Sequence, residues 1–152
     1  MMWKVITLML CLCVGGVTNA QEDKPIVLNS YKDAKEMMLE YNIPGLLIFH
    51  AEWCQPCQWM HRDTFGPMDE ALRKLYVVYY VDIDKEPEVY EEWRKISKIT
   101  KIPAYAISNC GGVVMIGYKE GYLGRTAFTN WMNGRVRFWK AKQDAKQLEE
   151  TP

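Results

Sequence analysis

The distribution of apolar residues along the chain predicts a series of β-strands. Leu46–Phe49 and Tyr76–Val81 are continuous apolar runs, which are typical of strands buried on both faces of a sheet. Ala104–Ile107 and Val113–Ile116 flank a Gly-Gly turn and therefore predict a β-hairpin. Ile26–Leu28 is a short further candidate strand before the first apolar run.

Helix-spaced apolar positions lie between these strands. Residues 34, 37, 38 and 41 are apolar and recur at i, i+3, i+4 and i+7 after Ser30, a candidate N-cap residue. By the same kind of signal, the segments predicted to be helical are 30–41, 54–62, a segment opening at Pro67, 89–96 and 128–139. Gly134 is expected to end or bend the last of these helices. The side chains expected to contribute to packing include Trp59, Trp93 and Trp131.

The order of elements is β-α-β-α-β-α-β-β-α, which predicts an α/β fold. Alternating strands and helices that end in a hairpin and a closing helix favour a central mixed sheet with helices on both faces. The polar residues 140–152 are expected to form a solvated C-terminal tail. The folded domain is therefore expected to span residues 21–139.

Residues 1–20 have the three-part pattern of a secretory signal peptide. A short start with one positive charge precedes the uncharged apolar segment Val5–Val17, and Thr18–Ala20 has small side chains at its first and third places. The apolar segment has 13 residues, fewer than the roughly 20 of a membrane-spanning helix, which argues against a retained anchor. We expect cleavage after Ala20 and export, most simply to the periplasm, with the extracellular space as the alternative.

Composition excludes some function classes and leaves the cysteines as the candidate chemistry. The chain has 152 residues, enough for one domain, and a formal net charge of zero, which argues against a nucleic-acid binder. Removal of the signal peptide leaves Cys54, Cys57 and Cys110. Cys54 and Cys57 are too close in sequence to restrain an unfolded chain effectively, so redox chemistry is favoured over a structural staple. Cys110, at the predicted turn, is either an inert thiol or forms an intermolecular bond.

The segment Phe49–Cys57, with the sequence FHAEWCQPC, resembles the active-site segment of thioredoxins. The order of elements over about residues 26–132 resembles the thioredoxin fold, and Ile102-Pro103 falls where that family has its cis-proline. The segment Cys57–Phe65 also resembles the C-terminal thioredoxin-fold domain of the bacterial membrane disulfide reductase. The resemblance implies a thiol–disulfide oxidoreductase that acts on protein disulfides or dithiols and exchanges electrons with a partner protein. It implies no cofactor besides the Cys54–Cys57 disulfide.

The two cysteines of the motif are expected to have different roles. A helix N-terminus stabilises a thiolate, so Cys54 is expected to be the nucleophile. Cys57 lies one turn further along the same helix face and is expected to resolve the mixed disulfide with substrate. The uncharged pair Gln55-Pro56 adds no positive charge between the cysteines, and a reductase-like direction is therefore favoured.

The resemblance also implies residues that bind substrate. Trp53 is expected to cover the site and to offer an apolar contact. A cis bond before Pro103 would bring the backbone of Ile102 beside the nucleophile, where it could pair with an extended substrate strand. Gly121 resembles the glycine of the family's third substrate-contact loop, with Gly124 as its rival.

The proton-transfer site departs from the family pattern. Thioredoxins carry a buried acid six residues before the first cysteine, and this position is Ile48 here; Tyr80 takes the place of the lysine often paired with that acid. His50 and Glu52 are nearby ionisable groups, and His50 is a candidate acid or base because imidazole titrates near neutrality. The alternative is that His50 only packs where the family commonly has an aromatic residue. His61 is expected at the surface.

Two other classes of function stay open. Loss of the acid at Ile48 is compatible with a binding or accessory module that uses the groove between Trp53 and Pro103 without turnover. A metallochaperone or zinc site would need ligands beyond Cys54 and Cys57. The remaining candidates are His50, His61 and the distant Cys110, and no bound metal is therefore expected.

Overall fold

The computed structural model describes residues 28–112 and 114–150. The predicted signal peptide, residues 1–20, lies outside the described residues, as do positions 26 and 27 of the first candidate strand. Leu28, the last residue of that candidate, is not in a strand.

The described strands form one mixed sheet, as predicted. Its strands are β1 (Gly45–His50), β2 (Val77–Asp82), β3 (Ala104–Ser108) and β4 (Met115–Glu120), arranged in the order β2-β1-β3-β4. β1 is parallel to β2, whereas β3 is antiparallel to both β1 and β4. β1 and β3 are therefore the two inner strands. The segment that carries the cysteines follows the C-terminal end of β1.

Helices connect and cover the strands. They are α1 (Tyr31–Glu40), α2 (Gln55–Met60), a π-helical segment (His61–Phe65), α3 (Gly66–Arg73), α4 (Pro87–Ser97) and α5 (Arg125–Glu150). Ser30 caps α1 as predicted, because its Oγ accepts a hydrogen bond of 3.1 Å from the Asp33 N–H. Within the described ranges, no helix is both long enough and apolar enough to cross a bilayer.

The predicted break before Pro67 is absent, and residues 55–73 follow one another as α2, the π-helical segment and α3. Pro67 has no N–H to donate to the carbonyl four residues earlier, and a proline ring crowds that carbonyl. The wider π turn accommodates this, with the Gly66 N–H bonded to the His61 carbonyl. A Cβ at Gly66 would lie 3.0 Å from the same carbonyl oxygen, so glycine suits this turn.

α5 is longer than predicted. Gly134 does not end the helix, which continues through the predicted tail as far as Glu150. A single glycine in a helix costs only about 1 kcal/mol relative to alanine, so helical residues on both sides outweigh it.

The core has two parts, one on each face of the sheet. Successive β1 side chains point to opposite faces. Leu47 packs in the cluster that contains Trp93 of α4, and Ile48 packs in the cluster that contains Phe65 and Phe128. Helices therefore cover both faces, as predicted, and β1 is buried along nearly its whole length.

Candidate active site

The two cysteines of the motif form a disulfide at the start of α2. Their sulfur atoms are 2.02 Å apart and their Cα atoms 5.2 Å apart. Cys54 is the N-cap residue of α2, and its Sγ accepts a hydrogen bond of 3.3 Å from the Cys57 N–H. Backbone N–H groups at a helix start favour a negative charge, which is the state of an attacking or departing Cys54 sulfur. Both residues are buried, with 4% of Cys54 and 6% of Cys57 exposed.

The segment before β3 lies against the disulfide. The Ile102–Pro103 peptide bond is cis, as predicted. Ile102 packs against the small cluster formed by Ala51 and the two cysteines. Ile102 is thereby placed beside the disulfide.

Gly121 adjoins this segment. Its N–H donates a hydrogen bond of 2.7 Å to the Pro103 carbonyl, and its φ of +85° lies in the left-handed region that favours glycine. Gly124 instead accepts a hydrogen bond from the Phe128 N–H at the start of α5. The structure thus places Gly121, and not its rival Gly124, in contact with the cis-proline.

A groove of about 630 Å³ runs beside the disulfide, between α2 and the segment after β4. Its apolar walls come from Pro56, Trp59, Ile102, Pro103 and Tyr122. Trp59 is 45% exposed, so the prediction that it serves packing is wrong. Sequence reasoning also missed Tyr122, whose only signal was its position next to Gly121.

Trp53 is 67% exposed, and its indole is bonded to the loop that follows β2. Its Nε1–H donates a hydrogen bond of 2.7 Å to Asp84 Oδ2. The ring therefore stands at the rim of the site with its polar atom bonded and most of its surface open to a partner.

Glu52 belongs to an ion-pair network with the loop after β2. Lys85 Nζ lies 2.6 Å from Glu52 Oε1 and 3.1 Å from Asp82 Oδ2. Burial by itself would raise the pKa of Asp82, but bonds from Lys85 and from the Asp84 N–H outweigh it, and the pKa is lowered. The Asp82 carboxylate is therefore negatively charged beside the site at neutral pH.

A second cavity, of about 580 Å³, reaches the Cys57 side of the disulfide. We call it the Cys57 cavity; its lining includes Ile48, His50, Cys57, His61 and Tyr80. The position of the family's buried acid is thus an apolar wall, since Ile48 is only 1% exposed. The polar side chains that line this cavity are His50, Glu52, Gln58, His61 and Tyr80.

Tyr80 makes edge-on contacts with His50, His61 and Phe65 in the Cys57 cavity. The Tyr80 ring meets His50 edge-on at 5.9 Å and His61 edge-on at 5.7 Å between ring centroids. Burial raises the pKa of Tyr80 to about 12, and its hydroxyl has no hydrogen-bond partner among the described residues. His61 is exposed as predicted, but its place in the same cavity was missed; its spacing of four residues from Cys57 on one helix face was the available signal.

Cys110 lies at the other end of β1 from the disulfide. Its Sγ is 3.3 Å from the Asn42 carbonyl oxygen, just before β1 begins, whereas Cys54 follows the end of β1. Among the described residues, no group of three or more His, Cys, Asp or Glu side chains could hold a metal ion. Of the five candidate ligands considered from the sequence, Cys110 lies apart from the other four.

Comparison with known proteins agrees with this geometry. Residues 26–109 match the model of the Thioredoxin-like family. A thioredoxin of Borreliella burgdorferi is 31% identical over 78 residues, an alignment that covers 49% of this chain and 62% of that protein. A thioredoxin of Rickettsia bellii is 26% identical over 105 residues, covering 69% of this chain and 93% of that protein.

Solved structures with the same fold are more distant in sequence. A DsbH oxidoreductase aligns with a TM-score of 0.60 at 17% identity, covering 78% of this chain and 93% of that one. The oxidised thioredoxin of Plasmodium falciparum aligns with a TM-score of 0.54 at 20% identity, covering 70% of this chain and 93% of that one. This chain therefore belongs to the thioredoxin-like family and carries, at Cys54 and Cys57, the redox disulfide of a thiol–disulfide oxidoreductase.

Proposed function

We propose that this protein reduces disulfide bonds of exported proteins, with Cys54 as nucleophile and Cys57 as resolving thiol. The observation that carries the proposal is the Cys54–Cys57 disulfide at a helix start, packed against Ile102 of the cis-proline segment. A sulfur at a helix start can leave or attack as a thiolate, and the adjacent main chain can hold a substrate strand.

The reaction exchanges two electrons and two protons. The Cys54 thiolate attacks one sulfur of the substrate disulfide, so a Cys54–substrate disulfide forms and the other substrate sulfur leaves as a thiolate. Cys57, once deprotonated, attacks Cys54, so the Cys54–Cys57 disulfide forms and the second substrate thiolate leaves. The protein is oxidised and the substrate reduced, and a donor dithiol protein would return the site to the reduced state by the reverse sequence.

The groove suits an extended polypeptide with apolar side chains beside its cysteine. The main chain of Ile102 can hydrogen-bond to such a strand, while Trp59 and Tyr122 present exposed aromatic faces on either side of it. Trp53 adds a third exposed ring at the rim. Aromatic anchors of this kind provide much of the binding energy of protein interfaces.

The direction and the location are separate parts of the proposal. Gln55-Pro56 places no positive charge between the cysteines, and strong stabilisation of the reduced form, which makes an oxidant, is therefore not expected. Export, most simply to the periplasm, is supported by the signal-peptide pattern of residues 1–20. Mass measurement of the exported protein should give a chain that begins at Gln21.

Trapping of substrates tests the enzymatic role. A Cys57→Ser variant should accumulate disulfide-linked adducts with exported proteins through Cys54, because the resolving step is blocked. A Cys54→Ser variant is the matched control and should accumulate none. The proposal fails if Cys57→Ser traps nothing and the wild type does not reduce a protein disulfide in the presence of dithiothreitol.

The main alternative is a binding module without turnover, which the apolar Ile48 keeps open because the family's proton-transfer acid is missing. Such a module would bind extended peptides with equal affinity in the wild type and in a Cys54→Ser, Cys57→Ser double variant, and would turn over neither. A reduction potential measured against glutathione decides the direction: a value well below that of the glutathione pool indicates a reductase.

A further inference from the structure

We propose that His50 is the proton acceptor of the Cys57 thiol, so that an imidazole does the work for which the family uses a buried acid. This inference rests on the proposed thiol–disulfide exchange and concerns its second step. It assigns a catalytic role to His50, for which the alternative interpretation is that the side chain only packs.

The need for a base follows from the burial of Cys57. Only 6% of this residue is exposed, and a thiol removed from water resists ionisation, whereas only the thiolate attacks a disulfide. Ile48 cannot accept a proton. Any proton that leaves Cys57 must therefore pass to another wall of the Cys57 cavity or to water within it.

The position of His50 meets this need. It is the last residue of β1, the strand that leads directly into the motif, and it lines the Cys57 cavity together with Cys57. The edge-on contact with Tyr80 at 5.9 Å restrains the imidazole from the side of β2. His50 is thereby held in the same cavity as Cys57.

The charged groups around His50 favour its use as a base. Burial, the largest effect, lowers the pKa of His50, so the ring is neutral and able to accept a proton at neutral pH. Asp82 on β2 acts in the opposite sense and would stabilise the imidazolium once it forms. His61 on the π-helical segment and Lys85 after β2 oppose the positive charge, while Glu52 in the loop after β1 favours it.

The other groups of the cavity are less suitable. Glu52 is engaged with Lys85 at 2.6 Å, and Tyr80, with a pKa of about 12, keeps its proton. His61 is exposed to solvent. His50 is half-buried, and it is therefore the best candidate base among the titratable groups of the cavity.

The proposed step balances as follows. The Cys57 S–H bond breaks and its proton goes to the neutral imidazole, which becomes imidazolium. The Cys57 thiolate attacks Cys54, the Cys54–Cys57 bond forms, and the bond from Cys54 to the substrate sulfur breaks. The leaving substrate thiolate takes the proton, directly or through water, and His50 returns to its neutral form.

The reaction with Ellman's reagent separates the two steps in one experiment. The reduced protein, with Cys110→Ser to remove the third thiol, should release one thionitrobenzoate when Cys54 attacks and a second when Cys57 resolves the adduct. We expect His50→Gln to slow the second release by about 10- to 100-fold near pH 6.5, a part of the usual range for general-base catalysis. The first release should change by less than about two-fold, since it does not involve the Cys57 proton.

The pH profile distinguishes a base from a packing residue. In the wild type the second rate should level off above the pKa of His50, whereas in His50→Gln it should keep rising with pH up to the ionisation of the thiol itself. His61→Gln is the comparison variant, because it removes the other imidazole in contact with the Tyr80 ring, and it should slow the second release by much less than His50→Gln does. His50→Phe keeps an aromatic ring that can pack but cannot accept a proton. It should therefore slow the second release as His50→Gln does.

A measurement on the wild type tests the inference even if the variants fail to fold. Transfer of the Cys57 proton during resolution predicts a solvent deuterium isotope effect on the second release below pH 7 that is larger than any effect on the first. The inference is overturned if that effect is absent, if His50→Gln resolves at the wild-type rate, or if it slows both releases equally. Absence of any second release in the wild type would instead defeat the proposed function.

Discussion

Trp53 and Asp84 join the two loops that leave the C-terminal ends of β1 and β2, through a hydrogen bond of 2.7 Å from the indole Nε1–H to Oδ2. The bond is charge-assisted because its acceptor is a carboxylate. The Glu52–Lys85 ion pair, at 2.6 Å, links the same two loops one residue away on each side. The loop before Cys54 is therefore held by the loop that follows β2.

Loss of the Trp53–Asp84 bond should loosen the rim of the site more than it affects the fold. We expect Trp53→Phe and Asp84→Ala each to raise the KM for a protein disulfide several-fold, with a loss of about 1 kcal/mol or less in the free energy of unfolding, since the bond is exposed. Asp84→Asn is the control, because an amide oxygen still accepts from the indole. Equal KM values for Asp84→Ala and Asp84→Asn would contradict this account; steady-state kinetics and urea unfolding provide both measurements.

Thr64 connects the π-helical segment to the loop that carries Tyr122. It is fully buried, and its Oγ1–H donates a hydrogen bond of 2.7 Å to the Leu123 carbonyl. Thr64→Val keeps the shape but leaves that carbonyl without its donor, and we expect a loss of about 1–3 kcal/mol in the free energy of unfolding. Thr64→Ser retains the hydroxyl and should lose less. A valine variant as stable as the serine variant in urea unfolding would show that water replaces the bond.

The sheet and its covering helices could be predicted because their signals are local and strong. The runs around Leu47 and Tyr79 have no polar interruption, and Cys54 and Pro103 lie in the order that the thioredoxin fold requires. Helix spacing also identified α1 and α4. These features depend on residues that are neighbours in the sequence or share one element.

The Cys57 cavity could not be predicted, because its aromatic walls come from three elements. His50 ends β1, His61 lies in the π-helical segment, and Tyr80 is in β2. Whether an imidazole points toward a cavity or into solvent depends on how these elements pack. The exposure of Trp59 was missed for the same reason, since it depends on where the loop with Gly121 and Tyr122 lies.

Gly45 should resist substitution because its neighbours leave no room for a side chain. A Cβ built there would lie 2.6 Å from Ser108 Oγ and 2.7 Å from Met38 Sδ, and both residues are buried. We expect Gly45→Ala to lower the free energy of unfolding by about 1–3 kcal/mol through overpacking. Gly134→Ala is the control: nothing lies within 4 Å of its built Cβ, so helix propensity should raise stability by about 0.5–1 kcal/mol. Thermal unfolding should therefore shift in opposite directions for the two variants.

Burial of His50 should make the stability of the oxidised protein depend on pH between the pKa of the folded state and that of the unfolded chain. Burial lowers the pKa of His50 in the folded protein below its ordinary value of 6.5. Within this window the unfolded chain binds more protons than the folded one, so the free energy of unfolding rises with pH. The contribution is fully present above about pH 6.5 and is lost as the pH falls through the folded-state pKa.

Urea unfolding of the wild type and of His50→Gln, measured between pH 5 and 7.5, tests this dependence. The stability of the wild type relative to the variant should decrease as the pH is lowered, since glutamine does not titrate. Asp82, whose pKa is lowered by Lys85 and the Asp84 N–H despite the opposing effect of burial, acts in the same sense but only near and below about pH 4, outside the measured range. A difference between wild type and variant that is constant with pH, or that grows as the pH falls, would mean that His50 is not buried in its neutral form. It would also remove the electrostatic support for its role as a base.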